Sequence, residues 1–234
     1  MDAIVAGGET RSSRYVCVCN VHSVVSGARD ARFKRILNEA DMVTPDGAPI
    51  AWAMRQLGFP DQERINGPDL MWRYLARAEQ QQQTVFFYGS SIKTLAHLRL
   101  ALARVFPDLR IGGMHSPPYR SLTAAEDAAE VDFINRSGAQ VVLVSLGCPK
   151  QEEWMASHRG RINAVMVGVG AAFDYHAGVL RRAPLWWQAH GLEWLYRLMA
   201  EPRRLFKRYA TTNTLFVLGL MRQILQEWRY QRVS

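Results

Sequence analysis

Short apolar and β-branched runs at 15–19, 41–43, 84–88, 110–111, 140–145 and 164–169 alternate along the chain with longer segments of helical character. Runs of this length, rich in Val, Phe and Tyr and bounded by Gly, Pro, Asn or Asp, predict β-strands. The longer ones are apolar at successive positions, the pattern of strands covered on both faces. Ala-, Gln- and Leu-rich stretches at 50–57, 69–83 and 92–105 predict helices, with Pro49 and Pro68 suited to first helical positions. Thr123 followed by Glu126 is a capping box, predicting a helix that runs to about Arg136. Strict alternation of strand and helix predicts an α/β fold: a doubly wound, mostly parallel, Rossmann-like sheet. The order of the strands is open at this stage.

Sheets of this kind bind ligands beyond the carboxyl ends of their strands, where turns expose backbone N–H groups and helix N-termini. Five clusters of Gly and polar residues fall there: Asn20 and His22, Thr44-Pro45-Asp46-Gly47, Gly89-Ser90-Ser91, Gly147-Cys148-Pro149-Lys150-Gln151-Glu152, and Gly170-Ala171-Ala172-Phe173-Asp174. Any one of them can be loop punctuation. Their coincidence on one rim predicts a site. Within it, Asp46 either caps the helix beginning near Pro49 or acts as a general base, and residue type alone favours the cap. Lys150 and Gln151 at a helix start either hold an anion or form a solvated first turn. Arg64 either clamps a phosphate or pairs with Asp61 or Asp69.

Charge changes the picture by its position. The 234 residues carry 29 Lys and Arg against 21 Asp and Glu, a net charge of +8. From Arg181 onward there are ten basic residues against Glu193, Glu201 and Glu227, so this end alone carries +7 and residues 1–180 are nearly neutral. Trp186, Trp187, Trp194 and Trp228 lie in the same stretch, a mixture that suits a membrane interface. The division this suggests is an α/β core at 1–180 and a basic, Trp-rich helical appendage at 181–234. Arg203, Arg204, Lys207 and Arg208 fall on one side of a helix, a face for an anionic group or anionic lipid, or a solvated basic face. The apolar stretch at 215–221 is far short of the roughly 20 residues that cross a bilayer. Residues 1–14 lack the basic start and apolar run of a secretory signal, so a cytoplasmic, peripheral location on the inner membrane face is expected. Cys17 and Cys19 read as reduced core thiols.

Several chemistries lack their residues. No GxxxxGK[ST] occurs, which removes the usual phosphoryl-transfer scaffold, and 168–173 (GVGAAF) lacks the third Gly of a dinucleotide fingerprint. That weakens a nucleotide-sugar oxidoreductase or epimerase and leaves 168–173 as a candidate phosphate-binding turn. The six His have no HxxxH spacing and no two Asp are two apart, so neither a zinc site nor an Asp-x-Asp metal clamp is written. RNP, zinc-finger and helix-turn-helix patterns are absent, which disfavours a nucleic-acid partner despite the basic charge.

The ordered set Cys19-Asn20-Val21-His22, Thr44-Pro45-Asp46-Gly47, Arg64-Ile65-Asn66-Gly67-Pro68-Asp69, Gly147-Cys148-Pro149-Lys150-Gln151-Glu152 and Gly168 to Asp174 resembles the WecG/TagA/CpsF glycosyltransferases. Arg182-Ala183-Pro184, Gly191-Leu192-Glu193-Trp194 and Glu201-Pro202-Arg203-Arg204 resemble that family's carboxyl-terminal signature. The resemblance implies an inverting, metal-independent transfer of a hexose, often N-acetylmannosamine. The donor would be a UDP-sugar and the acceptor a polyprenyl-diphosphate-linked saccharide, in cell-surface polysaccharide synthesis. It implies no cofactor, an anionic membrane surface as partner, and is compatible with a homo-oligomer. It makes Asp46 the general base and gives Asn20 and Gln151 substrate-positioning roles, with Arg64 near the donor. Gly147, Lys150, Arg203 and Arg204 complete the expected substrate contacts. Where many members have Thr, two residues before the Asn, this chain has Val18.

Overall fold

The computed structural model describes residues 1–231, the side chains of Arg204 and of 228–231 excepted. In chain order the described elements are α1 (Asp2–Glu9), β1 (Arg14–Cys19), α2 (Val21–Arg29), α3 (Ala31–Asn38), β2 (Met42–Pro45), α4 (Ala48–Gln56) and α5 (Gly67–Gln80). There follow β3 (Thr84–Gly89), α6 (Ile92–Val105), β4 (Arg110–His115), α7 (Ala124–Arg136), β5 (Val141–Ser145) and α8 (Lys150–His158). The chain ends through β6 (Val165–Gly168), α9 (Ala172–His176), α10 (Leu185–Ala189), α11 (Glu193–Ala200) and α12 (Pro202–Gln231). It divides into two compact units, one of 1–18, 35–44 and 66–181, the other of 19–34, 45–65 and 182–234.

The first unit holds the sheet, a six-stranded array in the order β2-β1-β6-β5-β3-β4. The β1–β6, β6–β5, β5–β3 and β3–β4 pairs are all parallel. This is the doubly wound α/β arrangement that the alternation predicts, and the strand order, open in the sequence, reverses between β1 and β6. Val85, Phe86, Phe87, Val141, Val142, Val144 and Met166 are all buried, so the central strands are apolar on both faces as parallel strands must be. Leu75 of α5, Leu98 and Leu102 of α6, Ile134 of α7 and Met155 of α8 complete this core. The capping box is formed as expected, Thr123 accepting from the Glu126 N–H while Glu126 reaches back to the Thr123 N–H at 2.8 Å.

β4 is longer than the 110–111 run that the sequence shows. Its middle is Gly112-Gly113, which carries no strand signal, yet a Cβ at Gly113 would come within 2.4 Å of the Phe86 ring. Close approach of side chains on the neighbouring strand, Thr84 at Gly112 and Phe86 at Gly113, rather than propensity, decides those residues. α1, α2 and α3, of eight or nine residues each, are not predicted from the sequence and emerge only in the structure. Cys17 and Cys19 are buried thiols outside any disulfide, matching the sequence reading.

The second unit is mostly helical. α2 packs against α12, and α11 packs against α12 as well. Leu205 and Thr212 are buried on α12, whereas Leu218, Met221 and Leu225 leave an exposed apolar stripe at i, i+3 and i+7. No helix among the described residues is long and apolar enough to cross a membrane.

Candidate functional site

In the second unit the chain turns sharply after Cys19 and after Pro45, and backbone hydrogen bonds fix both turns. The Asp46 N–H donates to the Cys19 carbonyl at 2.8 Å and the Ile65 N–H to the Pro45 carbonyl at 3.0 Å. Asn20 is the N-cap of α2: its side-chain oxygen accepts from the N–H groups of His22 and Ser23 at 2.9 and 3.2 Å. That use of the oxygen leaves the amide NH2 for the Asp46 carboxylate, to which the Asn20 side chain is hydrogen-bonded.

Asp46 does not cap α4. The N-cap is Gly47, at φ +92°, and no side chain caps that helix. The structure therefore corrects the capping preference read from residue type. A Gly in the left-handed region starts the helix unaided, and the carboxylate of Asp46 is released to face other groups. Those groups are Glu193 and Arg197 of α11, Arg64 and Asn20. Desolvation is the largest influence and, with the nearby Glu193 carboxylate, pushes the Asp46 carboxyl from its ordinary 3.8 up to about 6, against the opposing pull of Arg64, Arg197 and the Asn20 hydrogen bond. A carboxyl in that range is ionised at neutral pH yet basic enough to accept a proton from a hydroxyl under attack.

Arg64 pairs with neither Asp61 nor Asp69. Its Nη1 donates to Glu193 Oε2 at 3.4 Å and approaches the Gln188 carbonyl at 3.5 Å. Arg182 reaches the other carboxylate oxygen of Glu193 at 3.7 Å, an ion pair longer than a hydrogen bond. Glu193 and Arg197 lie four apart on α11, hence on one helix face. Neither was assigned a role from sequence. Their i, i+4 spacing, with Glu193 inside the Gly191-Leu192-Glu193-Trp194 signature and Arg197 just beyond it, is the signal that could have found them. His22, beside Arg208, is held below its ordinary value by burial and by that guanidinium, so it is neutral at pH 7.

The first unit contains the other sequence-predicted residues. Gly147 is exposed, and exposed Lys150 begins α8. Gln151 is buried: its Oε1 accepts from the Gly170 N–H at 3.2 Å and its Nε2 donates to Glu152 Oε1 at 2.8 Å. Ser145 Oγ donates to the Gly170 carbonyl at 2.6 Å. The Gly-rich turn after β6 is thus gripped on both sides of Gly170, whose N–H is taken by Gln151. Burial raises the Glu152 carboxyl above the usual carboxylate range. Asp174 accepts from Thr94 Oγ1 at 3.1 Å and from Ser90 Oγ at 3.4 Å, tying the α6 start to α9.

On α12, Arg203 and Lys207 are exposed and Arg208 is half-buried; the Arg204 side chain lies outside the described residues. No group of three His, Cys, Asp or Glu side chains among the described residues is placed to hold a metal ion.

One arrangement of these residues has a chemical use. A desolvated carboxylate with an elevated affinity for protons, steadied by an amide and ringed by guanidinium groups, can take a proton from an acceptor hydroxyl while cations meet a departing anion. Relatives bear on which reaction that is. The chain is 34% identical over 192 residues to the N-acetylglucosaminyldiphosphoundecaprenol N-acetyl-beta-D-mannosaminyltransferase of Bacillus spizizenii, a match covering 81% of this chain and 72% of that enzyme. The model of the glycosyl transferase WecG/TagA/CpsF family matches residues 1–230, nearly the whole length. This chain is therefore a glycosyltransferase and belongs to the WecG/TagA/CpsF family.

Proposed function

We propose that the protein transfers N-acetylmannosamine or another hexose from a UDP donor to a polyprenyl-diphosphate-linked saccharide, with inversion at the anomeric carbon. The observation that carries this reading is the environment of Asp46: a desolvated carboxyl raised to about 6, held by Asn20, with Arg64, Arg197 and Glu193 around it. In the reaction the acceptor oxygen attacks the anomeric carbon opposite the UDP group. The C–O bond to UDP breaks as the new glycosidic bond forms, and the hydroxyl proton passes to Asp46. UDP leaves with the bonding electrons and gains negative charge. Guanidinium groups such as Arg197 and Arg182 supply the compensating positive charge in this scheme, so a divalent ion is not needed.

Support for the acceptor class comes from the relative's printed activity on a diphosphoundecaprenol-linked sugar. The test is a panel of UDP-sugars assayed with a lipid-diphosphate acceptor analogue, with and without EDTA. Transfer of a hexose that survives EDTA is the expected result. Activity that appears only when metal is restored would contradict the guanidinium scheme, and no transfer from any UDP-sugar would remove the donor class.

The second part of the reading is that 181–234 forms the membrane- and substrate-facing appendage, holding the enzyme against an anionic cytoplasmic surface. Its basic charge, exposed Trp186, and the exposed Leu218, Met221 and Leu225 stripe on α12 suit such a surface. Replacing those three residues by Ser in the full chain is expected to abolish cosedimentation with anionic liposomes at physiological salt. Undiminished cosedimentation would show that this stripe is not the anchor.

A further inference from the structure

Glu193 occupies an unusual electrostatic position. It is the carboxylate in the Arg64 and Arg182 bridge, at 3.4 and 3.7 Å, and its side chain is about a quarter exposed, as are those of both arginines. Yet it is an anion set beside a second anion, Asp46, which by simple repulsion is unfavourable. Something must offset that cost. The bridge does so by engaging Arg64, whose positive charge also reaches Asp46.

We propose that Glu193 is a positioning residue of the transfer reaction: by holding Arg64 and Arg182 in one carboxylate-centred bridge, it keeps the Arg64 guanidinium from closing onto Asp46. The inference rests on the reading of Asp46 as general base. An arginine that pairs directly with a carboxylate lowers its proton affinity by roughly one to three pH units and makes it a poorer proton acceptor. If Glu193 loses its charge, Arg64 is left with the weak Gln188 carbonyl contact, and Asp46 is a carboxylate that already feels its charge. Glu193 thus diverts one cation and adds a repelling negative charge, and both effects keep Asp46 basic. The charged and polar groups facing Asp46 are Asn20 from α2, Arg64 from the segment before α5, and Glu193 and Arg197 from α11. Those facing Glu193 are Arg64, Arg182 and Asp46.

The experiment is the pH dependence of kcat/KM for transfer by the full-length enzyme and its Glu193→Gln, Glu193→Asp and Arg64→Gln variants. With Glu193→Gln, the acid limb should move down by about one pH unit and the plateau should fall about tenfold, because a paired carboxylate ionises sooner and accepts protons less readily. Glu193→Asp should retain the wild-type limb. Arg64→Gln should move the limb upward, since it removes a charge that favours ionised Asp46. That third variant keeps the proposal testable even if Glu193→Gln fails to fold. A folded Glu193→Gln enzyme whose acid limb coincides with wild type overturns it, as does an Arg64→Gln limb that stays in place. The base reading fails separately: it falls if Asp46→Asn retains wild-type turnover, whereas an inactive Asp46→Asn alongside unmoved limbs sinks only the role of Glu193.

Discussion

Asp46→Asn is expected to lower kcat by about 10²- to 10⁴-fold, the usual worth of a general base, while leaving the melting temperature at neutral pH equal or higher. The two halves have one cause. Burial that raises the Asp46 carboxyl to about 6 makes its ionised form costly in the folded protein, and the amide removes that cost while also removing the proton acceptor. The sign follows from proton counting. Between 3.8 and about 6 the unfolded chain has released this proton and the folded protein still holds it, so the Asp46 contribution to stability falls as pH rises through that window. The same titration should give wild-type kcat/KM an acid limb near pH 6, as the base becomes protonated below it. Steady-state transfer rates and thermal melts of both proteins across pH check all three statements. Near wild-type turnover in Asp46→Asn would leave the carboxylate a purely local role.

Gly67→Ala should destabilise the first unit. Gly67 begins α5, and a Cβ there would sit 2.4 Å from the Val169 carbonyl oxygen and 3.2 Å from its carbon. Both obstacles are backbone, so relief requires moving α5 or the turn after β6, at a cost of about 1–3 kcal/mol. The matching change in α12, Gly219→Ala, meets nothing within 4 Å and should stabilise its helix by up to about 1 kcal/mol. Melting curves for the pair should therefore shift in opposite directions. A Gly67→Ala protein that melts with wild type would mean that the contact relaxes freely.

The parts of the fold legible in the sequence were those written in side-chain pattern. Strands β3, β5 and β6 announce themselves because both of their faces are buried, leaving no polar positions to interrupt them. α5, α6 and α7 are marked by prolines, caps and long periodic stretches. β4 is only partly legible because its glycines are set by side chains distant in sequence, Thr84 crowding Gly112 and Phe86 crowding Gly113. The candidate site divides the same way. Asn20, Asp46 and Arg64 stand out as polar residues at strand ends and turns. That Asp46 does not cap α4 depends on the positive φ of Gly47, a backbone property with no side-chain signature. Glu193 was hidden by distance: its partner Arg64 lies 129 residues earlier, and Asp61 and Asp69 offered nearer, incorrect partners.

The second unit is assembled from three separated stretches of chain, and this fixes when its chemistry can begin. During synthesis the amino-terminal portion emerges and folds first. Asn20, Asp46 and Arg64 are then already made, but Arg182, Glu193 and Arg197 are not. Until the third stretch is translated, Asp46 lacks the carboxylate that helps to raise its proton affinity, and Arg64 has no competing anion to draw it away. With Asp46 as the proposed base, a nascent chain would therefore lack its full proton-accepting power until its last stretch has docked.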